Sequence, residues 1–231
     1  MDLLLLSNST MKGHPYLEWP QKYLKDFLHN VKKVAFVPYA GVTMNYDEYT
    51  SSITEALDSF DLNIIGIHSV KDKIAFIKEV DCIMVGGGNT FSLLSVLQSE
   101  KLINPIKEAV AGGCKYVGWS AGSNMACPTL KTTNDMPIEQ PESFDALGLI
   151  SYQINPHFTN ATIPNHGGES RELRIREYLV RNASSVVVGL PEGMLIEVHG
   201  ESTELKGTGE AFLFKAGSQP LVMKPGNVVL D

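Results

Sequence analysis

The 231-residue chain has few basic residues, few cysteines and no long apolar run. Its 19 Lys and Arg stand against 26 Asp and Glu, for a formal charge of −7. No basic stripe is present to displace phosphate counterions, which excludes a nucleic-acid binder on composition. Apolar runs are strand-length, far short of the ~20 residues a membrane-spanning helix needs, so no membrane partner is expected. The opening Met1-Asp2-Leu3-Leu4-Leu5-Leu6-Ser7 has four leucines in a row and no basic segment before them. It reads as a first strand rather than a signal peptide, and a cytoplasmic location is expected. Cys82, Cys114 and Cys127 fit neither a disulfide framework nor a zinc pattern. Cys82 and Cys114 read as small buried hydrophobes. Sequons at Asn8, Asn160 and Asn182 carry no weight in a chain read as unexported. No Ser/Gly/Pro-rich linker, charge run or internal repeat divides the chain, so one α/β domain over residues 1–231 is expected.

What is present is an ordinary globular balance, 43% hydrophobic and 19% charged. Short, continuously apolar runs recur at Leu3 to Ser7, Lys33 to Pro38, Asn63 to His68, Asp81 to Val85 and Lys115 to Trp119. Unbroken apolar runs, rather than alternating ones, mark strands buried on both faces of a parallel sheet. Amphipathic stretches lie between them: Tyr46 to Phe60, Phe91 to Leu97, and Ile106 to Ala111, which stops at Gly112-Gly113. Repeated β-α-β units predict a mostly parallel, doubly wound α/β sheet. After about Leu149, closely punctuated runs at 186–189, 194–198, 211–214 and 221–223 predict either antiparallel additions to that sheet or a terminal hairpin layer. Ligands of open α/β sheets sit beyond the carboxyl ends of the strands, so the segments following these runs carry the functional interest.

Gly118-Trp119-Ser120-Ala121-Gly122 is a G-x-S-x-G pentapeptide between a strand-like and a helix-like stretch, the setting of a nucleophile elbow. The bland alternative is a small-residue turn that packs a helix onto a strand. With its context, Ser120 is expected to be the nucleophile of a serine hydrolase. Gly86-Gly87-Gly88-Asn89-Thr90 also follows a strand and opens a helix. It lacks the Gly-Lys-Ser/Thr of a P-loop and the spacing of G-x-G-x-x-G, so no nucleotide cofactor is expected. Its Gly88 amide, with that of Ala121, could form an oxyanion hole, and Asn89 and Thr90 are candidates for contacting substrate.

An activated serine needs a base, and the base an orienting acid. Of the histidines, His14 and His29 lie near the first helix, His68 ends an early strand, His166 sits in a Gly-rich loop and His199 in a hairpin. His157, in Asn155-Pro156-His157-Phe158 directly after a strand-like run from Leu149 to Ile154, is the expected base. Two carboxylates compete to orient it. Glu192 is fixed between Pro191 and Gly193 at a strand end, and Asp135 lies on the loop after the elbow helix. Arginine occurs only as Arg171, Arg174, Arg176 and Arg181. On a helical projection Arg171 falls nearest the apolar face, so it is the one expected to reach inward and fork a substrate carboxylate. The others read as surface partners of Glu169, Glu172 and Glu177.

Taken together, several long blocks resemble the peptidase E group of serine peptidase family S51, the α-aspartyl dipeptidases. The blocks are Leu3 to Thr10, Val85 to Thr90, Gly118 to Gly122, Thr132 to Pro137, Ile154 to Asn160 and Gly189 to Gly193. The resemblance runs nearly end to end, with no departure at these positions. It implies a class I glutamine-amidotransferase-like (flavodoxin-like) fold and cleavage of dipeptides with a free N-terminal aspartate. It also implies no cofactor and a small peptide as substrate partner; no metal is expected, and the chain is expected to be a monomer or homodimer. Ser120 would be nucleophile and His157 base, with the third position left open between Glu192 and Asp135. Alternatives on the same fold are an amidotransferase-like glutaminase, which would carry cysteine at the elbow, and a cyanophycin-type peptidase. A lipase or esterase, or a non-catalytic binding module, are the readings further away.

Overall fold

The computed structural model of the chain describes residues 1–161 and 167–230. The elements run β1 (Asp2–Leu6), α1 (Gln21–Phe27), β2 (Lys33–Val37), α2 (Tyr46–Ala56), β3 (Asn63–Gly66), α3 (Lys73–Ile77), β4 (Cys82–Val85), α4 (Thr90–Ser99), α5 (Ile103–Ala111), β5 (Lys115–Trp119) and α6 (Ala121–Ala126). They continue with β6 (Gln153–Pro156), α7 (Arg171–Arg181), β7 (Val186–Leu190), β8 (Met194–His199), β9 (Ser202–Gly207), β10 (Ala211–Lys215), β11 (Leu221–Met223) and β12 (Gly226–Asn227). Among the described residues no helix is long and apolar enough to cross a membrane.

The larger sheet has eight strands in the order β12-β9-β8-β1-β5-β4-β2-β3. The strands β1, β5, β4, β2 and β3 are mutually parallel. Their apolar runs are explained by burial on two sides. Leu3 and Leu5 join one core with Val85, Leu93, Met125 and Ile154. Leu4 and Leu6 join the opposite core with Leu24, Phe36, Ile53 and Trp119. The strands β8, β9 and β12 are added antiparallel at one edge. A second sheet, ordered β11-β10-β7-β6, packs Val187 and Phe214 against Ile175 and Leu179 of α7. In it β6 and β7 are parallel and the other pairings antiparallel. Of the four C-terminal runs, 194–198 extends the first sheet and the other three lie in a separate layer.

Two differences from the sequence reading bear on the site. The run before His157 is a strand at Gln153–Pro156, not Leu149 to Ile154. Leu149 and Ile150 instead donate their amides to Ala126 O at the end of α6. Pro156 is tolerated because β6 lies at the edge of its sheet. The strand β9, Ser-Thr-Glu-Leu-Lys-Gly, carries too little apolar character to be read from sequence, yet it pairs along all of β8.

Candidate active site

The carboxyl ends of β4, β5 and β1 lie side by side, because these strands are neighbours in the parallel sheet. The glycine loop leaves β4, the serine turn leaves β5, and Ser7-Asn8 leaves β1. Across the seam, the second sheet contributes the loops after its two parallel strands, with His157 following β6 and Glu192 following β7. Five loops thus converge on one edge.

Ser120 caps α6 with φ 52° and ψ −110°, a left-handed region that costs an ordinary side chain of order 1–3 kcal/mol. The glycines around it are required by close approach. A Cβ on Gly118 would meet Gly122 O at 2.4 Å, and one on Gly122 would meet Val85 O at 2.1 Å. The turn is therefore pressed between β5, α6 and β4. Ser123 tightens it further, donating to Leu6 O at 2.6 Å and Gly118 O at 2.9 Å.

His157 also has positive φ, 53°. Its Nε2 lies 3.0 Å from Ser120 Oγ and its Nδ1 2.8 Å from Glu192 Oε1. A carboxylate only accepts, so Nδ1 carries the proton and the Nε2 lone pair faces the serine hydroxyl. The imidazole is thus in the tautomer that can take the Ser120 proton. The histidine and glutamate side chains are 36% and 49% exposed, so the relay opens toward solvent at its acidic end.

Asp135 does not touch His157. Its Oδ2 accepts from the Thr90 amide at 2.7 Å and from the Thr90 hydroxyl, tying the loop after α6 to the first turn of α4. Of the two competing carboxylates, only Glu192 bonds the imidazole. The expectation that Thr90 contacts substrate is corrected by the same bonds, since the residue is fully buried and both its donors are committed. Asn89 borders the cleft, but its side chain caps α4. Its Oδ1 accepts from Phe91 N and Ser92 N, and its Nδ2 donates to Met136 O. Asn89 is a helix cap, not a free substrate donor.

Gly88 has φ 135°, and a Cβ there would meet Ala40 O at 2.1 Å, so this loop position admits only glycine. Among the described residues the Gly88 and Ala121 amides donate to no protein acceptor; Gly88 lines the same cleft as Ser120, and Ala121 follows the serine in the chain. Arg171 opens α7 half-buried, with Nη1 shut from solvent and, among the described residues, without a hydrogen-bond partner. Burial lowers its pKa from the ordinary value, Arg174 adds to that, and the Glu192 and Asp135 carboxylates pull the other way. A cation at the first turn of a helix also opposes the dipole. Arg174 and Arg176 instead pair with Glu169 and Glu172, at 4.0 and 2.9 Å.

The remaining described histidines are engaged elsewhere: His14 with Glu18, His29 with Asp26 O, His68 with Asp47 and His199 with Asp2. His166 lies outside the described residues. Among those described, no group of three or more His, Cys, Asp or Glu is gathered as a metal site would require.

Sequence reasoning passed over the residues that hold the base and the acid in place. Ser7, fully buried, donates to Leu190 O and accepts the His157 amide, each at 2.8 Å. Asn8 accepts the Gly193 amide at 2.9 Å. One dipeptide at the end of β1 therefore fixes the loops of both His157 and Glu192. The only signal was a polar Ser-Asn pair directly after four leucines.

The arrangement of a serine turn, an imidazole and a carboxylate in chain order Ser, His, Glu differs from the Ser, acid, His order of α/β-hydrolases. Comparison with known proteins agrees with that distinction. The family described as Peptidase family S51 matches residues 3–206. This chain belongs to peptidase family S51. Among its relatives, peptidase E of Salmonella paratyphi A is 47% identical over 98% of this chain and 99% of its own length. Peptidase E of Nostoc sp. is 47% identical over 94% of this chain and 90% of its own. A solved peptidase from an acI-B1 Actinobacterium shares the fold at TM-score 0.64 and 15% identity, covering 96% of each chain. A structure titled as a peptidase E candidate from Listeria monocytogenes does so at 0.66 and 23%, covering 90% of this chain and 98% of its own. The S51 chain is a peptidase, and the residues described above are its candidate machinery.

Proposed function

We propose that this S51 peptidase is a serine dipeptidase that releases aspartate from Asp-Xaa dipeptides with a free N-terminus. The observation that carries the reading is the hydrogen-bonded line Ser120–His157–Glu192, with a half-buried Arg171 near its acidic end whose Nη1 is unpartnered among the described residues. His157 Nε2 takes the Ser120 proton as Oγ attacks the aspartyl carbonyl. The resulting oxyanion is held by the Gly88 and Ala121 amides. As the C–N bond breaks, His157 returns the proton to the leaving amine and an aspartyl ester remains on Ser120. Water, deprotonated by the same imidazole, then attacks the ester and frees aspartate. Glu192 holds the imidazole and offsets its charge in both half-reactions. The Arg171 guanidinium receives the substrate's β-carboxylate, which supplies the partner it lacks.

The test is release of free aspartate from Asp-Leu, run beside Asn-Leu, N-acetyl-Asp-Leu and a Ser120→Ala control. Turnover of Asp-Leu alone is expected, falling about 10⁵–10⁶-fold in the variant. Equal turnover of Asn-Leu would remove the charge requirement, and with it the aspartyl reading.

A further inference from the structure

A cleft of about 710 Å³ opens beside Ser120, bounded by the glycine loop, the segment after β2, and Tyr16 and Tyr49. Among the described residues no Lys, Arg, Asp or Glu lines it, and His157 is the one titratable group there besides two phenols. Those phenols, Tyr16 and Tyr49, are raised by burial above all and stay neutral O–H groups. Tyr49 is further committed to Gly87 O at 2.9 Å. The rim is apolar. Val42, Met44 and Ile138, from two separate loops, border the cleft together and are 54%, 43% and 52% exposed, so they form an apolar group at its mouth rather than scattered single residues. Arg171 does not border the cleft; the charges of Glu192 and Asp135 act on it instead.

A dipeptide bound across Ser120 must place its two side chains on opposite sides of the attacked carbonyl. With the acidic side chain toward Arg171, the leaving residue enters the uncharged cleft. We propose that this cleft is the leaving-residue subsite, and that Val42, Met44 and Ile138 make it select apolar leaving residues such as Leu, Phe and Met. This rests on the aspartyl-dipeptidase reading. A charged leaving side chain would lose water there and meet no counter-charge. An apolar one covers side chains now exposed to solvent.

The experiment compares kcat/KM of the full chain on Asp-Leu, Asp-Phe, Asp-Gly, Asp-Lys and Asp-Glu. Asp-Leu and Asp-Phe should exceed Asp-Gly by about 10–100-fold, with Asp-Lys and Asp-Glu no better than Asp-Gly. In Met44→Ser and Ile138→Ser the ratio of Asp-Leu to Asp-Gly should fall at least threefold. That ratio is insensitive to loss of folded enzyme, which scales both substrates alike. Flat rates across the panel, a preference for Asp-Lys or Asp-Glu, or an unchanged ratio in both variants would overturn the subsite and leave the dipeptidase standing. Failure to cleave any Asp-Xaa would overturn the dipeptidase reading, and the subsite with it.

Discussion

Ser120 and His157 both sit in left-handed backbone, at φ 52° and 53°, where side chains other than glycine are strained. That strain aims Oγ and Nε2 at one another across 37 residues of sequence. The roles of the two nearby carboxylates separate by what each one bonds. Glu192→Gln keeps the shape but lets Nδ1 see a neutral amide, so kcat should fall. For a buried triad acid the loss is about 10⁴-fold; the half-exposed Glu192 is screened by water, and about 10²–10³-fold is expected. Its Tm should barely move, since an exposed ion pair contributes under about 1 kcal/mol. Asp135→Ala should behave conversely. It removes an acceptor from the start of α4 and should cost about 1–2 kcal/mol of stability, with a smaller loss of kcat. Steady-state kinetics beside thermal melts of both variants check the pair, and a reversed pattern would exchange their roles. Arg171 makes a further prediction. It is half-buried, and among the described residues its Nη1 has no hydrogen-bond partner, so L-aspartate should stabilise the folded chain by about 2.7 kcal/mol at a hundredfold excess over Kd. Thermal shift should show this in the wild type and not in Arg171→Met.

Among the elements, β1 does more than fill the centre of the large sheet. Its four leucines divide between two cores, and the Ser7-Asn8 pair that follows reaches across to the second sheet. Ser7→Ala would orphan the His157 amide and leave the Leu190 carbonyl only its bond from the Phe158 amide, at about 1–3 kcal/mol. Because His157 would lose its anchor, kcat should also fall about 10–100-fold with KM little changed. A lower Tm with kcat intact would confine Ser7 to a structural part. At the opposite end of the same sheet, Asp81 accepts the Lys32 and Lys33 amides at 2.9 and 2.8 Å and pins the start of β2. These two amide bonds, Lys33 first, hold its carboxyl below the ordinary value. A depressed carboxyl contributes stability that is complete above the unfolded pKa of about 3.9 and is lost as pH falls through the folded value. Asp81→Ala should therefore cost about 0.5–1 kcal/mol near neutrality, discounted for exposure. The gap should close on acidification below about pH 4, and pH-dependent melts read it directly.

At the scale of the whole molecule, the site is a seam between two sheets, and that sets how much of it was legible. The runs of β1, β2, β4 and β5 could be read because burial on both faces demands unbroken apolar residues, a local property. The elbow could be read because Gly118 and Gly122 must be glycine for β5, α6 and β4 to approach, and Gly88 because Ala40 O leaves no room for a Cβ. His157 and Glu192 stood out as strand-end residues beside proline and glycine. Polar strands such as β9 were invisible, since their partners and not their composition make them strands. So were the committed side chains of Asn89 and Thr90, which look like free donors in a loop. The linear chain by itself determined the parallel α/β layer, the serine turn and the pool of candidate partners, because each depends on steric and burial demands within a few residues. Only the tertiary structure decided that Glu192 rather than Asp135 meets the imidazole, that Ser7 and Asn8 brace both loops, and that Arg171 stays out of the cleft beside Ser120. Those contacts join segments as far as 185 residues apart, and no local pattern records which distant loop a side chain will meet.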